Sequence, residues 1–292
     1  MHDAALSLTG SARRHSVRRL ASEWRDRVLP TATAAATGGL WKLGSLTIAL
    51  VVWQLACATF ARDFPTPLAS LRVAVELLAS PFSTVPGHLG IGYQLLASLR
   101  RIGVGFTASA ALAIPAGVVI GVSPACRKLF DPIVQVLRPV SPLVWFPLAL
   151  VMFKALGGVS SATLFTIFVT SFWPILINTA AGVSSLPADY RTVARVFHFS
   201  PLRYLTKILL PHTLPYIIVG LRLSMGNAWL VIVAAEMLSG DIGIGFFAWD
   251  SYNAGSYERM IAAVAAIGAI GLLLDRGFTT LHRHFDYQGA CR

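Results

Sequence analysis

The stretch Asp189-Tyr190-Arg191-Thr192-Val193-Ala194-Arg195-Val196-Phe197-His198-Phe199-Ser200-Pro201, followed by Ile208-Leu209-Leu210-Pro211, decides how the rest of the chain is read. It gathers Arg191, Arg195, Arg203 and Lys207 in a chain that is otherwise largely apolar. Ser185 and Pro187 give a helix start signal. Tyr190, Val193, Ala194 and Phe197 then recur at i, i+3, i+4 and i+7, the spacing of one helix face. His198 and Phe199 break the pattern. Ser200-Pro201 is a second cap and first-turn pair, and Leu202, Leu205, Ile208 and Leu209 give the next helix its own apolar face. The stretch therefore reads as a polar helix-turn-helix set between apolar runs, a surface suited to a soluble partner.

Those runs dominate the composition. Of 292 residues, 55% are hydrophobic and 13% charged, against about 25% charged in soluble proteins. The mean hydropathy is +0.66. The formal net charge is +11, and all but Lys42, Lys128, Lys154 and Lys207 of the 24 basic residues are Arg. They sit in short clusters between apolar runs, without basic-aromatic interleaving, so they read as headgroup contacts and orientation signals rather than a nucleic-acid surface. Cys57, Cys126 and Cys291 are widely spaced and form no metal-ligand pattern. Cys57, inside an apolar run, reads as a small hydrophobe.

The fold class expected is all-α, a polytopic membrane protein with six transmembrane helices. Residues 1–42 form a basic extension with an interfacial helix near Val17–Leu29, and no cleaved leader is expected. Residues 43–91 hold the first span, Leu43–Phe60, and an exterior loop carrying a surface helix, Leu68–Leu78. Residues 92–281 hold spans at Ile102–Val122, Ile133–Leu156, Ser160–Val183, Leu214–Leu238 and Arg259–Leu281, with the polar segment 186–211 after the fourth. Residues 282–292 are a tail. Each span approaches the 20 or so apolar residues needed to cross a bilayer. Ser123–Pro132 reads as a basic loop, and Gly240–Tyr257 as a short exterior or re-entrant helix. Gly117 and Gly121 are spaced for close helix packing. Pro139, Pro142 and Pro147 break the third span, and the carbonyls they free require protein or water, so that span faces inward.

With the N-terminus inside, 18 of the 24 basic residues fall on cytoplasmic segments or adjoining helix ends. That bias puts both termini and the polar helix pair in the cytoplasm. No lysine follows a glycine, so no Walker A loop exists, and HExxH, GxSxG and paired-His spacings are absent. The chain is not read as an enzyme, holds no metal, and would draw energy for active transport from another chain. Arg222 and Glu236 are ionisable residues within the fifth span, the kind of group that is costly in a membrane and marks function or a helix–helix pair. With Ser141, Trp145, Asn178 and Asn227, and with Ser224 nearby, they mark the third and fifth spans as candidate pathway walls. Asp275-Arg276 reads as a structural pair or interface anchor.

The order of elements resembles the permease subunits of bacterial ATP-binding-cassette importers, type I. Their hallmark is a cytoplasmic loop reading E-A-A, three residues, G, nine residues, I, any residue, L-P. Ile208-Leu209-Leu210-Pro211 matches its end, Val193-Ala194 falls on the alanines, and Thr192 and His198 replace Glu and Gly. The turn geometry at His198 is therefore left open. Ser98-Leu99-Arg100-Arg101-Ile102-Gly103, Leu137-Arg138-Pro139-Val140-Ser141-Pro142 and Ala228-Trp229 through Glu236-Met237-Leu238 are similar to the nitrate, sulfonate and taurine branch, nitrate and bicarbonate permeases in particular. The resemblance covers about Gly92–Leu281. It implies a homodimer in the bacterial inner membrane, two cytoplasmic ATPase subunits that bind ATP and Mg, and a periplasmic or lipid-anchored solute-binding protein. It implies no cofactor in this chain, a coupling surface at Tyr190, Val193, Ala194, Phe197, His198, Phe199 and Pro211, and uptake of a small anion. Nitrate (or nitrite) is the expected anion; bicarbonate, cyanate and sulfonate or taurine are the alternatives, and a secondary transporter working alone is the remaining one.

Overall fold

The structure is a computed structural model that describes residues 41, 44–59, 64–85 and 88–285, His284 by its backbone alone. The expected basic extension with its Val17–Leu29 helix, the end of the tail and Cys291 lie outside the described residues. The chain divides into two compact units, Met1–Pro67 and Leu68–Arg292.

In the first unit, helix α1 (Gly44–Thr59) occupies the predicted first span. At roughly 24 Å it is shorter than the roughly 30 Å hydrocarbon core. Cys57 is buried, its thiol donating to the Pro65 carbonyl at 3.6 Å, and Trp53 meets Phe64 with ring centroids 6.4 Å apart.

The second unit is a bundle. Helix α2 (Pro67–Ala79) is the expected surface helix, followed by an antiparallel hairpin of two-residue strands, β1 (Thr84–Val85) and β2 (His88–Leu89). Next come α3 (Ile91–Val122), α4 (Pro124–Leu137), α5 (Pro142–Met152), α6 (Gly158–Ser184) and α7 (Ala188–Val196). A short α8 (Pro201–Tyr204), a π-helical turn (Leu205–Leu209) and α9 (Leu210–Ser239) run on as one 39-residue rod. Helices α10 (Ile244–Asn253) and α11 (Tyr257–Phe285) complete the chain. Among the described residues four helices are long and apolar enough to cross a membrane, and a bent pair makes a fifth.

Four boundaries differ from the sequence reading, each for a physical reason. Helix α3 absorbs Tyr93–Arg101, because Arg101 finds partners inside the protein (below). The Ser123–Pro132 loop is helical: Ser123 caps α4 by accepting from the Cys126 amide at 3.3 Å, and Pro124 takes the first turn, where its missing N–H costs nothing. The third span is not one helix, since α4 and α5 meet at 97°. Ser141 precedes Pro142 and is extended (φ −56°, ψ 130°), the conformation that proline imposes on its predecessor. Alone, α5 reaches only about 16 Å. The second helix of the polar pair does not stop at Pro211 either. The wide π turn lies just before Pro211, a residue with no N–H to donate, and the helix continues through it.

Helix α6 is the hub, flanked by α3, α5 and α9. It meets α3 along small residues. A β-carbon on Gly117 would lie 2.7 Å from Thr179 Cβ, and one on Gly121 2.5 Å from Val183 Cβ. The predicted small-residue pair is the close contact itself. Toward the other end Ile102, Ile167, Trp229 and Ile232 form one apolar cluster, and Trp229 Nε1 donates to the Ile267 carbonyl at 3.0 Å, tying α9 to α11.

Overpacking at such a contact costs about 1–3 kcal/mol. Gly117→Leu is expected to lower the thermal unfolding temperature in detergent. Gly268→Ala, where a β-carbon meets nothing within 4 Å, is expected to leave it unchanged.

Candidate functional site

The prolines that break the third span leave a hollow beside the break. A cavity of about 510 Å³ opens between α5, α6 and α9, and Ser141, Trp145, Asn178 and Asn227 all line it. Along α6 it extends from Val169 to Asn178, roughly 13 Å of a helix roughly 40 Å long. It thus sits in the middle third of the bundle. Asn178 Nδ2 donates to the Pro174 carbonyl at 2.8 Å, which fixes the amide and leaves its oxygen available. Arg138, at the end of α4, is the sole charged side chain among the lining residues. A second cavity of about 620 Å³, between α3, α4 and α6, shares Arg138, Pro139 and Ile177 with the first.

The other predicted pathway residues stand elsewhere. Ser224 is buried and donates to the Ser171 carbonyl at 2.5 Å, bonding α9 to α6. Arg222 forms a two-pronged pair with Asp275 on α11, Nε–Oδ1 2.7 Å and Nη2–Oδ2 3.0 Å. Asp275-Arg276 therefore does hold a structural pair, with Arg222 as partner rather than its own neighbour.

Glu236 is fully buried, yet its carboxylate has no shortage of donors. Ser98 Oγ lies 2.8 Å from both oxygens, Arg101 Nη1 2.9 Å from Oε1, and the Gly245 amide 3.0 Å from Oε2. The same Arg101 reaches Asp241 Oδ2 at 2.7 Å and the Ile242 carbonyl at 2.5 Å. The Gly243 amide donates to Gln94 at 2.7 Å and the Ile244 amide to Ser98 at 3.0 Å. Three amides at the start of α10, unsatisfied within any helix, are thus capped by side chains of α3 and α9. A β-carbon on Gly243 would lie 2.1 Å from the Glu236 carboxyl carbon, so glycine is required there for room. The predicted short helix after the fifth span exists, and this ion-paired cluster aims it. The sequence carried a signal for the cluster: Gln94, Ser98 and Arg101 fall on one face of a helix in an apolar run.

At the opposite end of α9 lies the polar pair. Helix α7 ends in a Schellman motif, with the Phe199 amide on the Ala194 carbonyl (2.9 Å) and the His198 amide on that of Arg195 (3.0 Å). His198 occupies its left-handed position at φ 50°, a region His visits more readily than most side chains. Histidine therefore holds the turn that glycine makes in the loop pattern. Arg203 stacks over Phe199 at 4.8 Å, and Leu186 and Leu209 are buried with Val183. Arg127 on α4 hydrogen-bonds Ser184 and the Gly121 carbonyl, fastening this end of the bundle. The apolar face of α7 divides. Ala194 faces inward at 6% exposure, while Tyr190 (52%), Val193 (47%) and Phe197 (68%) lie open.

Solved structures share this helical fold. The fold is similar to a chain of the MetNI methionine ABC transporter (TM-score 0.58, 16% identity, 70% of this chain and 99% of that one). It is also similar to a chain of a bacterial alginate ABC transporter in complex with alginate pentasaccharide-bound periplasmic protein (TM-score 0.55, 15% identity, 85% and 94%). Residues 113–287 match the family described as binding-protein-dependent transport system inner membrane component, and the chain belongs to that family. It is 44% identical over 233 residues to the nitrate import permease protein NrtB of Synechocystis sp., covering 80% of this chain and 84% of the relative. It is 43% identical over 265 residues to the bicarbonate transport system permease protein CmpB of Synechococcus elongatus, covering 89% and 91%. The chain is a membrane-spanning permease subunit of an ABC importer and not itself an enzyme.

Removing one partner of a buried ion pair costs about 3–5 kcal/mol. Glu236→Ala is expected to lower thermal stability sharply, and Arg222→Ala, at an exposed pair, far less, both read by thermal unfolding of purified protein. A left-handed residue other than glycine costs about 1–2 kcal/mol. His198→Gly is expected to stabilise the α7 turn and His198→Val to weaken it, measured by protection of the Phe199 amide from hydrogen exchange.

Proposed function

We propose that this chain imports a small inorganic anion, nitrate, by alternating access driven by partner ATPases. The reading rests on the joint presence of an exposed apolar stripe at one end of the bundle and a polar cavity in its middle. Tyr190, Val193 and Phe197 offer apolar surface that the chain itself leaves uncovered. A cytoplasmic ATPase subunit docking there, with His198 and Phe199 at the turn and Pro211 behind it, covers that surface. Helix α7 is then the coupling helix, and the rod from Pro201 to Ser239 carries its movement across the membrane. Six spans follow if α1 and the bent α4–α5 pair each cross, with both termini cytoplasmic.

The pathway runs past Ser141, Trp145, Asn178 and Asn227, closed by a second copy of the chain in a homodimer. Glu236 sets the outer helix α10 beside it, and Arg222 holds α9 to α11. ATP and Mg are bound by two ATPase subunits rather than by this chain, and a periplasmic or lipid-anchored solute-binding protein delivers the anion to the α10 end. Bicarbonate is the second reading, supported by the match of 265 residues to a bicarbonate permease.

Phe197→Asp places a charge on the open stripe, where the Phe197 ring is 68% exposed and meets the Phe199 ring at 6.4 Å. The variant is expected to insert normally and to lose co-purification of the ATPase subunit. Ala194 is the poorer probe because it packs against the chain itself. Unchanged ATPase recovery with Phe197→Asp rejects the coupling surface. Substrate is tested by uptake of labelled nitrate against labelled bicarbonate into vesicles carrying the assembled complex.

A further inference from the structure

The central cavity holds one charge and no counter-charge. Arg138 lines both cavities, and among the described residues it forms no ion pair. The one lining carboxylate, Asp131, belongs to the second cavity, which Arg138 also lines, and not to the first. By contrast Arg101, Arg127 and Arg222 each have hydrogen-bonding partners in the bundle. Arg138 is exposed where the two cavities adjoin, so water or an anion can meet its charge. Around it are uncharged groups with hydrogen-bonding capacity to spare. Ser141 caps α5 without a side-chain hydrogen bond, and Asn227 makes none among the described residues.

We propose that Arg138, at the break between α4 and α5, is the specificity-determining residue of the pathway and binds one small monovalent trigonal oxyanion with Ser141 and Asn227. This deepens the reading given above and rests on it. One guanidinium neutralises one negative charge, and its planar fork offers two parallel N–H donors to two oxygens of a planar anion. A doubly charged anion keeps an uncompensated charge in this lining, and a cation is repelled. A single arginine with neutral donors also holds an anion weakly enough to release it. The prolines give the site its place. Because Pro139 and Pro142 turn the chain at 97°, the end of α4 delivers Arg138 to the cavity wall, whereas a straight span would carry that side chain past it.

The test uses the complete complex of permease, ATPase and binding protein in lipid vesicles, with labelled nitrate and labelled bicarbonate as probes. Arg138→Gln is expected to assemble in normal yield and to lose at least tenfold in nitrate uptake. Arg138→Lys, which keeps the charge and loses the fork, is expected to recover part of the rate with a raised KM. Wild-type-like uptake by Arg138→Gln overturns the assignment while leaving the permease reading intact. Equal loss in the Gln and Lys variants at unchanged KM marks a structural role and overturns it as well. A wild-type complex that accumulates neither anion rejects the substrate reading, and this site with it.

Discussion

Hydrocarbon supplies no hydrogen bonds, so every backbone group outside a regular helix must be met from within the protein. Two departures from regular helix show how such groups are met. At the start of α10, three bare amides receive the carboxylate of Glu236, the hydroxyl of Ser98 and the amide oxygen of Gln94. At the break between α4 and α5, the chain opens onto a cavity rather than onto lipid. The Glu236 carboxylate is itself costly to bury, and Arg101 and Ser98 offset that cost. The Glu236 and Arg101 charges thus serve a bend in the chain.

The same constraint connects the two ends. The rod from Pro201 to Ser239 has the left-handed turn at His198 just before its start and Glu236 near its finish. At roughly 58 Å it is far longer than a bilayer core requires. Glycines seat α3 against α6, where there is little slack for independent sliding.

Much of this was legible in the chain. Period and caps placed α7 and its turn, and the glycine spacing identified the α3–α6 contact. The prolines announced that the third span would be broken. Four pathway candidates, Ser141, Trp145, Asn178 and Asn227, do share one cavity. The misreadings have a common cause. Arg100-Arg101 looked like the flank of a span because charge usually marks a membrane boundary, yet Arg101 lies inside α3 with its partners more than a hundred residues away. Periodicity gave α7 one apolar face but did not show that Ala194 alone of that face is buried by the chain itself.

Local chemistry in the sequence determined the helices and the break, since each depends on propensity, proline sterics and spacing within a few residues, while the left-handed geometry at His198 was settled by the structure. The tertiary structure alone decided which charges were answered. Arg101 found Glu236, Arg222 found Asp275, and Arg138 was left facing a cavity. The physical reason is that electrostatic pairing depends on distances across the bundle, and these are fixed only when helices far apart in the chain come together.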